Sequence, residues 1–133
     1  RKDEVRVSEN FTKYMRYIGS YENGPYVCYQ FEDQSGNVAL HYQIKEEFLT
    51  EKKQIGLSRI FTTKMSKINI GDICLVICKC REVLEPGYNQ SAMYLNVERV
   101  LMRLVKYKTV IKDYRGVPTE FAIEEPIQNW DEI

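Results

Sequence analysis

Residues Tyr26 to Ile44, YVCYQFEDQSGNVALHYQI, restrict what this chain can fold into more than any other stretch. The first half is rich in aromatic and β-branched types that suit a pleated surface. The second sets Val38, Leu40, Tyr42 and Ile44 against Asn37, Ala39, His41 and Gln43 with a period of two. Between them lies Asp33-Gln34-Ser35-Gly36, where Asp bonds its own backbone and Gly accepts positive φ, so the chain reverses tightly. The stretch reads as a β-hairpin. With Val38, Leu40, Tyr42 and Ile44 facing inward, the simplest pairing also turns Val27, Tyr29 and Phe31 inward, because a one-residue slip would move the apolar set to the other face.

A length of 133 residues suits one domain with its own core. Nineteen basic residues balance nineteen acidic ones, so the summed field offers a polyanion no general attraction, and any nucleic-acid contact has to come from a local patch. Cys28, Cys74, Cys78 and Cys80 all fall in predicted strands, without the knuckle spacings of a zinc site, and no signal-peptide core precedes them. Free thiols used as small hydrophobes, in a reduced intracellular setting without metal or cofactor, are the expectation. No apolar run approaches the roughly 20 residues needed to cross a bilayer, and the chain reads as soluble. Its start on Arg1 suggests a piece of a longer protein.

Along the chain, residues 1–10 read as a polar leader that pairs at most on an edge. FTKYMRYI, from Phe11 to Ile18, fits a strand through its aromatics, although Phe11, Tyr14, Met15 and Ile18 also match helical spacing. Gly19-Ser20 and Asn23-Gly24-Pro25 read as turns. After the hairpin, Lys45 to Lys53 is composed of good helix formers and closed by Gly56, which predicts a short helix. Leu57 to Lys67 fits either a further helical turn or an irregular connector. Ile73 to Val83 is a strand that begins as a continuous apolar run, Glu85 to Ser91 a loop, and Ala92 to Leu104 a strand that passes near Val100 into a helix or an extended strand. Val105 to Tyr114 alternates as an added edge strand. Residues 116–133 carry two prolines and five acidic residues, which favours a disordered tail, yet Phe121 and Trp130 argue that part of it docks. The expected division is a leader over 1–10, a domain over 11–115 and an acidic tail over 116–133.

Strand, strand, strand, short helix, strand, strand is the order of an all-β, five-stranded Greek-key OB-fold barrel whose helix plugs one end. The pattern FxDxxGxVxLxY in the hairpin, then IGDxCLV and a closing YLNV, resembles the OB domains of complexes that maintain single-stranded DNA. These include the middle subunit of replication protein A, the Stn subunit of the CST complex, and the telomerase-recruiting subunit of shelterin. The resemblance covers about Phe11 to Leu104 and matches residue by residue at Gly36, Gly71 and Asp72. It implies a nuclear subunit at telomeres or replication sites, whose partners are other subunits of such a complex.

Catalytic ingredients are thin. The chain has one histidine, His41, without a neighbouring nucleophile and without a Gly-rich phosphate loop, which predicts a non-enzymatic protein. Single-strand binding would use stacking aromatics and basic side chains, for which Tyr26, His41, Lys79, Arg81 and Tyr88 are the candidates, with Glu32 beside Asp33 repelling phosphate. A protein-contact role suits the charge balance better. Its candidates are Glu46, Glu47 and Glu51 on the connector, together with Phe121 and Trp130 of the tail. The telomerase-recruiting relatives use the region between their third and fourth strands for such contacts, and the resemblance extends that expectation to this connector.

Overall fold

The computed structural model describes residues 4–48, 63–84 and 91–133, and within them the chain is mostly β-strand. The strands are β1 (Glu4–Val7), β2 (Phe11–Asn23), β3 (Tyr26–Glu32), β4 (Val38–Ile44), β5 (Ile73–Leu84), β6 (Ser91–Arg103), β7 (Val105–Tyr114) and β8 (Val117–Pro126). Three short 3₁₀ turns, Glu46–Phe48, Met65–Lys67 and Trp130–Glu132, are the helical elements among the described residues. The helix expected from Lys45 to Lys53 is therefore a single 3₁₀ turn as far as it is described. Its remainder, with Glu51, lies outside the described residues, as does most of Leu57 to Lys67. Among the described residues no helix is long and apolar enough to cross a membrane.

β1 pairs with β5 at the edge of a six-stranded sheet. The antiparallel pairs β2–β3, β3–β4, β2–β5 and β5–β6 are joined by one parallel bridge between β4 and β6, Leu40 opposite Asn96. β2 runs well past Ile18. Gly19-Ser20 is an irregularity within it, where the pairing with β3 shifts between Tyr17 and Gly19, and the reversal comes at Gly24-Pro25. β6 stays extended to Arg103, with the register against β5 shifting twice along the way.

The β3–β4 pairing bears out the inward face expected for Tyr29 and Phe31 and corrects the one expected for β4. Phe31 opposes Ala39 and Tyr29 opposes His41, so these four share the core side. Val38, Leu40, Tyr42 and Ile44 lie on the other face with Glu32, Gln30, Cys28 and Tyr26. The loop sets this. Asp33 N–H donates to the Asn37 carbonyl (2.9 Å), Gly36 N–H donates to the Asp33 carbonyl (3.0 Å), and one Asp33 carboxylate oxygen accepts from the amides of Ser35 (3.0 Å) and Asn37 (2.9 Å). These bonds fix Glu32 opposite Val38, and turn geometry rather than hydrophobicity decides which side faces in. The small Ala39 opposite Phe31 leaves room for the ring, which packs 5.4 Å from Tyr17.

The core gathers Met15 and Tyr17 of β2, Phe31, Ala39, the β5 residues Cys74, Val76 and Cys78, and Val97 and Val100 of β6. Met65 and Ile68 join it from the end of the connector. Cys74, Val76 and Cys78 share one side of β5, while Cys28, on the side of β3 opposite Phe31, is also fully covered.

The C-terminal stretch is ordered as a hairpin. β7 pairs with β8 in a separate two-stranded sheet, not with the main one, and the division expected at residue 115 falls at its tip. Arg115 (φ 52°) and Gly116 (φ 81°) both take the left-handed region, as a two-residue type I′ turn requires. At the root, Leu104 N–H bonds the Ile73 carbonyl (2.8 Å), Ile127 N–H the Leu104 carbonyl (2.9 Å) and Ile73 N–H the Ile127 carbonyl (2.9 Å).

Candidate contact surfaces

The outward side of β2, β3 and β4 is built from register rows. Tyr21, Cys28 and Tyr42 form one; Asn23, Tyr26 and Ile44 form the next, with Gln30 beside Leu40 and Glu32 beside Val38 beyond. Tyr21, Tyr26, Tyr42, Val38 and Ile44 are each more than a third exposed, so the face is apolar and aromatic where a solvated sheet face is normally polar. Tyr26 and Tyr42 meet edge to face at 6.0 Å. Cys28 fills the space beneath, which is why a residue on the outer face is fully buried. Desolvation, followed by Cys28, raises the Tyr21 and Tyr42 phenols above their ordinary value, and both are neutral at physiological pH.

The cations that border this face are already paired. Arg16 lies 3.5 Å from Glu32 and Lys45 lies 3.2 Å from Glu22. Lys13 closes on Asp33. Burial pushes the Asp33 carboxyl up, but the hydrogen bonds from Lys13 and Asn37 outweigh it and hold the group well below the usual carboxylate range. The local field is as balanced as the whole chain.

The tail closes one corner. Arg16 lies over the Trp130 ring, 5.4 Å from its centroid, and donates to the Gln128 carbonyl (3.1 Å). The Gln128 amide donates to Oδ1 of the fully buried Asp72 (2.8 Å), whose Oδ2 accepts the Asn69 N–H (2.9 Å). Gly71 belongs to this lock. Its φ of 101° suits glycine, and a Cβ there would meet the Gln128 amide at 3.5 Å. No periodic pattern signals this docking; the one hint in the sequence is aromatic content in an otherwise acidic tail.

The expected site residues scatter. Tyr26 is on the outer face, but His41 is not. It sits half-buried on the core side of β4 with Nδ1 2.9 Å from the Val97 carbonyl and its ring 6.1 Å from Tyr29, so it offers no stacking platform. Tyr42 and Tyr21 take its place, and the sequence reading missed both, Tyr42 because the face was inverted. Lys79 and Arg81 converge on Glu98, at 3.7 and 2.9 Å. Tyr88 lies outside the described residues. Glu46 and Glu47 are exposed on their 3₁₀ turn, and Phe121 is exposed on β8 against Tyr114, 6.5 Å away.

Cys28, Cys74 and Cys78 are buried and Cys80 is half-buried, all as free thiols. Desolvation, then the Asp72 charge, pushes the Cys74 thiol up to about 12, and burial raises Cys78 to about 11. Among the described residues no group of three or more His, Cys, Asp or Glu side chains could hold a metal ion. Comparison with protein-family models, curated proteins and solved structures finds no match to this chain.

Proposed function

We propose that this chain is a non-enzymatic OB-fold subunit of a nuclear complex that maintains single-stranded DNA, at telomeres or replication sites, and that it acts mainly as a bridge between proteins. The fold half of the reading is supported by pairings that run from β2 through β3, β4, β6 and β5 back to β2, antiparallel except at Leu40–Asn96, the circuit of a five-stranded Greek-key barrel. Met65 and Ile68, which join the core from between β4 and β5, support it as residues that a plug between the third and fourth strands would supply. The functional half is carried by the outward face of Tyr21, Tyr26, Tyr42, Val38 and Ile44. It is apolar and aromatic and bordered by ion pairs already closed, as the centre of a protein interface is. The engagement of His41, the single histidine, with the Val97 carbonyl favours a non-enzymatic role.

A second reading has one observation in its favour: Tyr26 and Tyr42 stand together on the strands an OB barrel uses to stack bases. The two readings part in a titration of the intact chain with a labelled single-stranded oligonucleotide at low and moderate salt. The bridge reading expects weak binding, whereas submicromolar affinity with a steep salt slope, lost in Tyr26→Ala and Tyr42→Ala, would establish the second. Affinity capture from nuclear extract with wild-type and Tyr42→Ala chains identifies the bridged proteins. Failure of the wild type to retain any subunit of a single-strand complex defeats the bridge.

A further inference from the structure

The hairpin of β7 and β8 has two edges, and its turn determines which backbone groups face them. In a two-residue turn the flanking residues Tyr114 and Val117 are a hydrogen-bonded pair, and such pairs alternate with pairs whose N–H and C=O point away. The Ile127 to Leu104 bond at the root keeps the same parity. On β8 the outward positions thus include Pro118 and Pro126, opposite Asp113 and Val105. Proline has no N–H, so the β8 edge lacks a donor at both ends and is blunted against pairing. β7 contains no proline, and among the described residues it pairs with β8 alone. Its outward donors and acceptors, from Val105 to Asp113, form one continuous row.

The side chains along that row have a definite chemistry. Lys106, Lys108 and Lys112 share one face of β7 with Val110 and Tyr114, and the opposite face carries Tyr107, Thr109 and Ile111. Lys106 pairs with Glu132 and lies 3.9 Å from Glu125, and Lys108 lies 3.8 Å from Glu125, in exposed contacts of the kind that hold a side chain only weakly. Tyr107 and Ile111 are about two-thirds exposed. A second copy of β7 laid antiparallel would set lysine against lysine, and the prolines keep β8 of a second copy from completing a ladder. We infer that the free edge of β7 takes up an extended segment of a partner protein in which carboxylates alternate with apolar or β-branched residues. Carboxylates then meet Lys112 and compete with Glu125 for the exposed Lys108, the apolar residues cover Tyr107 and Ile111, and the backbone completes a third strand. The inference rests on the bridging role proposed above and gives it a second surface, remote in sequence from the aromatic one.

The test uses the intact chain and two synthetic peptides of about ten residues, one alternating Glu with Val and the other Lys with Val. Binding is followed by amide hydrogen exchange resolved by residue. The acidic peptide is expected to bind at least tenfold more tightly than the basic one and to slow exchange at Val105, Tyr107, Thr109, Ile111 and Asp113. Ile111→Pro removes one outward donor without touching the β7–β8 ladder and is expected to abolish this protection. The double change Lys108→Glu and Lys112→Glu, which keeps the backbone unaltered, reverses the peptide preference. Equal binding of both peptides, protection elsewhere, or concentration-dependent protection of β7 without peptide overturns the inference. The last outcome would name a second copy as the occupant. Nuclear partners retained undiminished by Ile111→Pro, together with no peptide binding, would sink this inference and leave the bridge standing. Peptide binding without any captured partner would do the reverse.

Discussion

Gln128 reaches back across 56 positions of sequence to donate its side-chain amide to Oδ1 of Asp72 at 2.8 Å, so the acidic tail completes the hydrogen bonding of a carboxylate with no solvent exposure. Gln128→Ala leaves that oxygen unsatisfied and is expected to cost about 1 to 3 kcal/mol in urea unfolding. Removing residues 117–133 takes away Gln128, Trp130 and the buried Ile127 together, and should lower the melting temperature more than the single change. An unchanged melting temperature would show that the tail does not dock in cis.

The inverted face of β4 gives a second test. Phe31 is fully buried and Leu40 only partly so. Phe31→Ala is expected to cost about 3 to 5 kcal/mol, and Leu40→Ala about 1 kcal/mol. Denaturant titration of both variants decides the face, since Leu40 pointing into the core would make the two losses comparable.

Stability should fall in acid partly through Asp33. Its folded carboxyl titrates below its ordinary value of 3.8, so its stabilisation is fully present above that pH and is lost as pH falls through the lower, folded value. Asp33→Asn removes this contribution. The variant should be less stable than wild type at neutral pH, with the gap narrowing below about pH 4. A gap that stays constant from pH 7 to pH 2 would contradict the linkage.

Thiol reactivity should separate the four cysteines. Cys28, Cys74 and Cys78 are fully buried, and burial holds the thiols of Cys74 and Cys78 protonated, so alkylation of the folded chain near pH 8 should mark Cys80 first. Mass mapping of a brief iodoacetamide pulse checks this order; all four should react after unfolding.

The strands from Tyr26 to Ile44 could be read because alternation and turn chemistry are local properties. The inward side of β3 could be read too, through Tyr29 and Phe31, but that of β4 could not, since both its faces accommodate apolar side chains and the choice is made by the Asp33 bonds and by the small Ala39 opposite Phe31. Lys79 and Arg81 looked like charge free to meet a phosphate because their pairing with Glu98 arises only once β5 and β6 are in register. Pro118 and Pro126 suggested disorder. In β8 they stand where the ladder asks nothing of their nitrogens, a fact invisible until the partner strand and the turn are known.

The β7–β8 hairpin also works as a ruler. Ten residues at about 3.4 Å each put the Arg115-Gly116 tip about 34 Å from the root hydrogen bonds around Ile73, so whatever is held there stands at a distance counted out in residue pairs. Taking two residues from each strand would shorten that reach by about 7 Å and keep every remaining side chain on its own face. Taking one from each would shorten it by half as much and turn the distal part of the arm over, presenting Tyr107 or Ile111 where lysines had been.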